Sequence, residues 1–396
     1  MNLLLFDVDG VLVYDRAYRA GVIAVLDFFG GLLGCAAPVI DEVAIEAMHA
    51  HRYTNEWDMV PFGVGVMLIE ILARLPDLRL TSAPPIAFLR QIQANHADRF
   101  PFEQYLAQTD RVTGSPAARA SAVLLSASDR LIGDDHTRQL VQAFVRDLLA
   151  DPYNLARTIT TQVFQEHVLG STVYEETYGL PPRFDLPGLL HTEDRPALLP
   201  AGKRAIDALA QSGRAQVCVY TARPSLPPAD IRSAQRAAGY SPEAELAVQL
   251  VDLRGYPLIA MGRMLWLSHY INQPVETLTK PAPVQALAAI AAAITRDEVG
   301  SLTAAYQLMA QGKLDEPFAS LRGQSVAIWV FEDATPGLIA AAGAVDLLRR
   351  FDLDVHLHGI GIAIGGPKAE ALKPLCEIIV PDVNVAVEYV NRAIPG

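Results

Sequence analysis

The chain has 396 residues, 51% hydrophobic and 19% charged, with a mean hydropathy of +0.22. That composition excludes a disordered polypeptide and exceeds what one minimal domain needs, so two domains, one inserted into the other, are expected. A net charge of -12 with no Lys or Arg block argues against extended contact with nucleic acid or an anionic membrane; a small anionic substrate stays open, because a metal ion or a few basic groups reverse a local field.

The start, MNLLLF, lacks the basic region of a signal peptide and meets Asp7 at once. Residues 2–6 are an apolar run without a period, the pattern of a buried parallel strand. Next comes the most lipid-like stretch, residues 21–40, which Asp27, Gly30, Gly31, Gly34 and Pro38 turn into a buried helix and loop rather than a membrane span. Helical periodicity then prevails to residue 196: VGVMLIEILARL (64–75) is one such segment, and in HTRQLVQAFVRDLLAD residues Leu140, Phe144 and Leu148 recur every fourth position before Pro152. Pro-rich stretches over 180–200 read as a return linker. Beyond it, AQVCVYT (215–221), SVAIWVF (325–331), VHLHGIGIAI (355–364) and CEIIV (376–380) read as further buried strands alternating with helices. The expectation is an α/β parallel sheet flanked by helices (1–16 and 197–396) with an all-helical domain (17–196) inserted after the first strand. The three cysteines are scattered with no CxxC pair, which predicts a reducing compartment without disulfides or a zinc site, and with it a soluble cytoplasmic protein.

Parallel sheets bind ligands at the carboxyl ends of their strands. Four such places carry polar groups: Asp7-Val8-Asp9-Gly10, Thr221-Ala222-Arg223, Lys280 in TKPAP before an Ala-rich helical run, and Glu332-Asp333. Each has a plain alternative taken alone: a turn, a helix N-cap, a solvated lysine and a charged helix start. Their common position is what a functional site explains and these separate readings do not. Carboxylates at i and i+2 on a bending chain repel unless a cation lies between them or one is protonated. A hard divalent ion such as Mg²⁺ takes such carboxylates with carbonyls, waters and phosphate oxygens, and Asp7 with Asp333 is the best side-chain pair.

The four segments, hhhhDxDGhL (7–12), hhhT (221), KPxP (280–283) and hhhEDxxxG (332–337), resemble the motifs of the haloacid dehalogenase (HAD) superfamily of phosphohydrolases. The resemblance covers the α/β half, and the insertion falls where that superfamily carries a C1-type helical cap. TNEWD and FQEHVLGSTVYEETYG are similar, more faintly, to cap segments of a subfamily IA group. The resemblance implies a HAD-like Rossmannoid core and Mg²⁺-dependent hydrolysis of a small phosphorylated metabolite through an aspartyl-phosphate. It makes Asp7 the nucleophile, Asp9 the general acid and base, Thr221 (with Ala222 beside it) a phosphate contact, and Lys280 the neutralising cation. For the metal it implies Asp7, the main-chain carbonyl of Asp9, Asp333, and Glu332 as a further ligand or the partner of one.

Asp9 favours a phosphate ester over a haloacid, whose halide needs no proton to leave. All five lysines lie outside 17–196, which excludes a Schiff-base lysine in the inserted domain. Basic substrate contacts from that domain fall to arginines such as Arg16 and Arg19 beside the entry hinge, or Arg52, each with a solvated surface arginine as the favoured alternative; in HRYTNEWD (51–58), Asn55, Trp57 and Asp58 are either substrate readers or a capped helix start with Trp57 in its core. His49 and His51, two apart, do not share a helix face. The inserted domain exceeds a four-helix cap, and 240–279 and 295–324 exceed a minimal core; such additions enlarge domain contacts, cover a sheet edge or serve a homo-oligomer interface. A sugar phosphomutase and a phosphate-binding protein without turnover are the alternatives.

Overall fold

The computed structural model describes residues 1–95, 99–231 and 239–394. The chain divides into two compact units, Met1–Asp15 with Asp194–Gly396, and Arg16–Glu193.

The first unit holds a six-stranded sheet in the order β5-β4-β1-β6-β7-β8, with every neighbouring pair parallel. Its strands are β1 (Asn2–Phe6), β4 (Gln216–Tyr220), β5 (Leu258–Ile259), β6 (Ser325–Glu332), β7 (Asp354–Ile362) and β8 (Ile378–Val380). Strand β1 sits in the interior: Phe6 is opposite Val219 on one side and Phe331 on the other. Leu3 and Leu5 join one apolar layer with the Ala-rich helix Pro283–Thr295 and the helix Thr335–Arg349. Leu4 and Phe6 join the opposite layer with the helices Pro200–Gln211 and Val383–Ala393. Burial on both faces is why the strand reads as an unbroken apolar run.

Two short strands, β2 (Val13–Tyr14) and β3 (Arg195–Pro196), pair antiparallel. This ribbon draws residues 194–196 into the α/β unit, while Arg16 belongs to the helical one. The stretch 240–279 supplies the helix Glu243–Leu250, edge strand β5 and the helix Met261–Ile271. The stretch 295–324 supplies the helix Glu298–Gln311, which packs on the Ala-rich helix. Arg263, almost fully buried, bridges these additions by pairing with Glu245 and, at 3.0 Å, with Glu298.

The second unit consists of helices around Glu56–Leu72, whose residues from Asp58 to Ile69 are all buried. The helices Ala17–Leu32, Pro116–Leu131, Asp135–Ala150 and Ile159–Leu169 pack on it. The helix expected over 64–75 thus starts at Glu56, eight residues earlier. In Asp135–Ala150 the buried stripe is Val141, Val145 and Leu148; Leu140 and Phe144 flank it, and Phe144 stacks on Phe88 at 5.1 Å. No described helix is long and apolar enough to cross a membrane.

Candidate active site

The site grows from the ends of β1, β4 and β6. Asp7 continues the β1 ladder by donating its N–H to Phe331 O at 3.0 Å, which leaves its side chain at the strand's carboxyl end, 8% exposed. The backbone then folds into a tight loop in which Leu12 and Val13 both donate to Val8 O at 2.9 Å. Gly10 turns this loop with φ +69°, and a Cβ there would stand 2.0 Å from Asp333 Oδ2. Only glycine meets both demands.

Lys280 is buried, with 6% of its side chain exposed, so the solvated-lysine reading does not hold. Its Nζ lies 3.1 Å from Asp7 Oδ1, donates to Glu332 Oε1 at 2.6 Å and to Tyr220 O at 3.1 Å, and stands 3.8 Å above the Tyr220 ring centroid. Gln285 fixes this turn, accepting from Lys280 N at 3.0 Å and donating to Thr221 O at 2.8 Å. Burial alone would pull the Lys280 ammonium down, but the Asp7 and Glu332 carboxylates outweigh it and hold it above its ordinary value. Burial, reinforced by the charge of Asp7 and opposed by Lys280, pushes Glu332 well up.

Thr221, at the end of β4, is 1% exposed, and its Oγ1 accepts from Arg223 N at 3.2 Å. This is a turn of the Ser/Thr type, and no described helix starts there, so the N-cap reading falls away. Ala222 is exposed between two buried neighbours. Arg223 turns inward: its Nε donates to Asp9 Oδ1 at 2.6 Å and one terminal nitrogen donates to Asp194 Oδ2 at 2.9 Å. Burial pushes the Asp9 carboxyl up to about 7 against the pull of Arg223.

Asp7, Glu332 and Asp333 each offer an oxygen, all within 4.8 Å of one another. Asp7 Oδ1 is buried without a hydrogen bond, its contact with Lys280 being ionic in distance but poorly directed. Three hard carboxylate donors, one of them unsatisfied, fit a divalent ion such as Mg²⁺. Glu332 is already engaged by Lys280, and Asp333 Oδ2 accepts from Lys368. Burial, then the charge of Asp7, raises the Asp333 carboxyl against Lys368.

The helical unit treats its candidates differently. Asn55 is an N-cap: its Oδ1 accepts from Trp57 N at 2.8 Å at the head of Glu56–Leu72, the structural alternative to substrate reading. Trp57 meets Tyr153 edge-on at 5.6 Å, and Tyr153 OH donates to buried Asp58 at 2.6 Å. Arg19 pairs with Glu46, and His51 Nδ1 lies 2.6 Å from Asp110 Oδ2.

The sequence pattern alone assigns no role to Arg223, Asp194 or Lys368. Arg223 was visible two places after Thr221; nothing in the local pattern marks Asp194 or Lys368.

No protein-family profile matches the sequence, and no curated protein matches it. Among solved structures, the X-ray structure of a Northeast Structural Genomics Consortium target matches with a TM-score of 0.66 at 18% identity, over 100% of this chain and 99% of that one. The two share a fold. The phosphatase Tt82 from Thermococcus thioreducens reaches a TM-score of 0.43 at 14% identity, over 99% of each chain. A hydrolase from Pseudomonas syringae reaches 0.36 at 13%, over 100% of each. Scores this low bear on neither fold nor activity.

Proposed function

We propose that the protein is a Mg²⁺-dependent phosphohydrolase of the HAD kind that hydrolyses a small phosphate monoester through an aspartyl-phosphate on Asp7. The observation that carries the reading is the meeting of Asp7, Lys280, Glu332 and Asp333, from three distant parts of the chain, within one cluster at the ends of β1 and β6. A buried ammonium shared by two carboxylates beside an unsatisfied carboxylate oxygen suits an anionic phosphoryl group and a cation.

In this mechanism a carboxylate oxygen of Asp7 attacks phosphorus, and the bond to the leaving oxygen breaks. Asp9, in its acid form, protonates that oxygen, then takes a proton from the water that attacks the phosphoryl group and frees Asp7. Lys280 balances the charge of Asp7 and the phosphoryl oxygens, and Thr221 donates to one of those oxygens. Mg²⁺, held by Asp7 and Asp333 with the Asp9 carbonyl and Glu332 as further donors, would neutralise the phosphate and so favour attack by an anion. The helical unit would act as the cap that chooses the substrate.

The test is a screen of the purified protein over a panel of phosphorylated metabolites with Mg²⁺ present, beside the Asp7→Asn variant. Release of inorganic phosphate by the wild type alone supports the reading; full activity in Asp7→Asn sinks it.

A further inference from the structure

The guanidinium of Arg223 occupies a place that the proposed chemistry does not explain by itself. Arg223 and Asp194 are each 2% exposed, and the guanidinium links Asp194 Oδ2 at 2.9 Å to Asp9 Oδ1 at 2.6 Å. Both contacts are charge-assisted, and the planar fork lets one group direct two carboxylates at once. Asp194 immediately precedes β3, which pairs with β2 just after the Asp9 loop. The guanidinium thereby ties the end of β4 to both sides of the β2–β3 ribbon, with Asp9 at one end of the tie. A carboxylate on a loop has several rotamers, whereas one bonded to a buried, doubly anchored arginine has few.

We infer that Arg223, held by Asp194, is a positioning residue that aims the Asp9 carboxyl at the leaving-group oxygen. The inference rests on the phosphohydrolase reading above and adds to it a division of labour. Asp7, Lys280 and Asp333 serve the phosphoryl group; Arg223 and Asp194 serve the departing alcohol through Asp9. Arg223 binds Asp9 through Oδ1, leaving Oδ2 to carry the proton.

Proton donation matters when the leaving alcohol is a poor one and little when it is a stable phenolate, so the leaving group separates this role from a general structural one. The experiment compares wild type, Arg223→Lys and Asp194→Asn on an alkyl phosphate and on para-nitrophenyl phosphate, with Mg²⁺ present. General acid–base catalysis contributes about 10²–10⁴-fold. Arg223→Lys is therefore expected to lose about 10²-fold in kcat on the alkyl ester and less than about fivefold on the aryl ester, with Asp194→Asn showing the same selectivity more weakly. Guanidinium ion added to Arg223→Ala is expected to restore alkyl-ester turnover preferentially. Equal losses on both esters, or no loss on either, overturn the inference while leaving the phosphatase reading standing. Should Arg223→Lys fail to fold, the ratio in Asp194→Asn decides alone, and an unchanged ratio overturns it. A wild type inert to both esters removes the phosphatase reading and this inference with it.

Discussion

Lys280 Nζ donates to Glu332 Oε1 at 2.6 Å, where only 6% and 1% of the two side chains are exposed. Removing one partner of such a pair strands the other, and here it strands Asp7 as well. Lys280→Met is expected to destabilise the protein by about 3–5 kcal/mol, read from the midpoint of denaturant unfolding, and to abolish phosphate release. The double variant Lys280→Met/Glu332→Gln should recover part of the stability and none of the activity.

Metal binding has a signature apart from turnover. Saturating Mg²⁺ is expected to raise the thermal midpoint of the wild type; a ligand at one hundred times its Kd stabilises by about 2.7 kcal/mol. Asp333→Asn should lose most of that shift, and EDTA should remove it from the wild type reversibly along with activity. An equal Mg²⁺ shift in Asp333→Asn would remove that residue from the metal site.

The pH profile follows from Asp9. Burial raises its pKa to about 7, so the proton needed by the leaving group is present below that pH and is lost as pH rises through it. Turnover of an alkyl phosphate is expected to fall about tenfold per pH unit above 7. An aryl phosphate, whose phenolate leaves unaided, should show a much flatter limb. Identical profiles for the two esters would remove Asp9 from the acid role.

Gly10→Ala tests the crowding behind the nucleophile. A methyl there meets Asp333 Oδ2 and sits on a backbone with φ +69°, so the variant should lose about 1–3 kcal/mol. It should also bind Mg²⁺ more weakly, measured by calorimetric titration, because Asp333 has to move.

Asn55→Ala separates two readings of one residue. As the cap of Glu56–Leu72 it is expected to contribute about 1 kcal/mol, with KM for any substrate unchanged; Asn55→Asp should keep the stability. A rise in KM in Asn55→Asp would restore Asn55 as a substrate contact.

Much of the sheet was legible because a doubly buried strand leaves an unbroken apolar run, as in Leu3 to Phe6 or Val326 to Phe331. The reactive ends stood out because carboxylates, threonine and lysine interrupted or followed those runs. Strand β5 was not legible, since two residues, Leu258 and Ile259, carry no period, and tertiary pairing with β4 alone makes them a strand. The partnership of Arg223 with Asp194 and Asp9 was equally hidden: buried ion pairs between loops follow from folded geometry, not from spacing. In the helix Asp135–Ala150, Leu140 and Phe144 had the right period but mark the edge of the buried stripe, because Val141 and Val145 share it and packing decides between adjacent faces.

Strand β1 lies between β4 and β6, and that placement dictates an order of assembly. During synthesis β1 is made before the helical unit, and its neighbours at Gln216–Tyr220 and Ser325–Glu332 follow only after that unit. Helices close on local contacts and form early; the parallel ladder waits on distant ones. A nascent chain therefore carries a finished helical unit beside an unpaired apolar β1, and the reactive cluster is complete only once Asp333 has been added. Chaperones that bind short apolar peptides would find their target in LLLF throughout that interval.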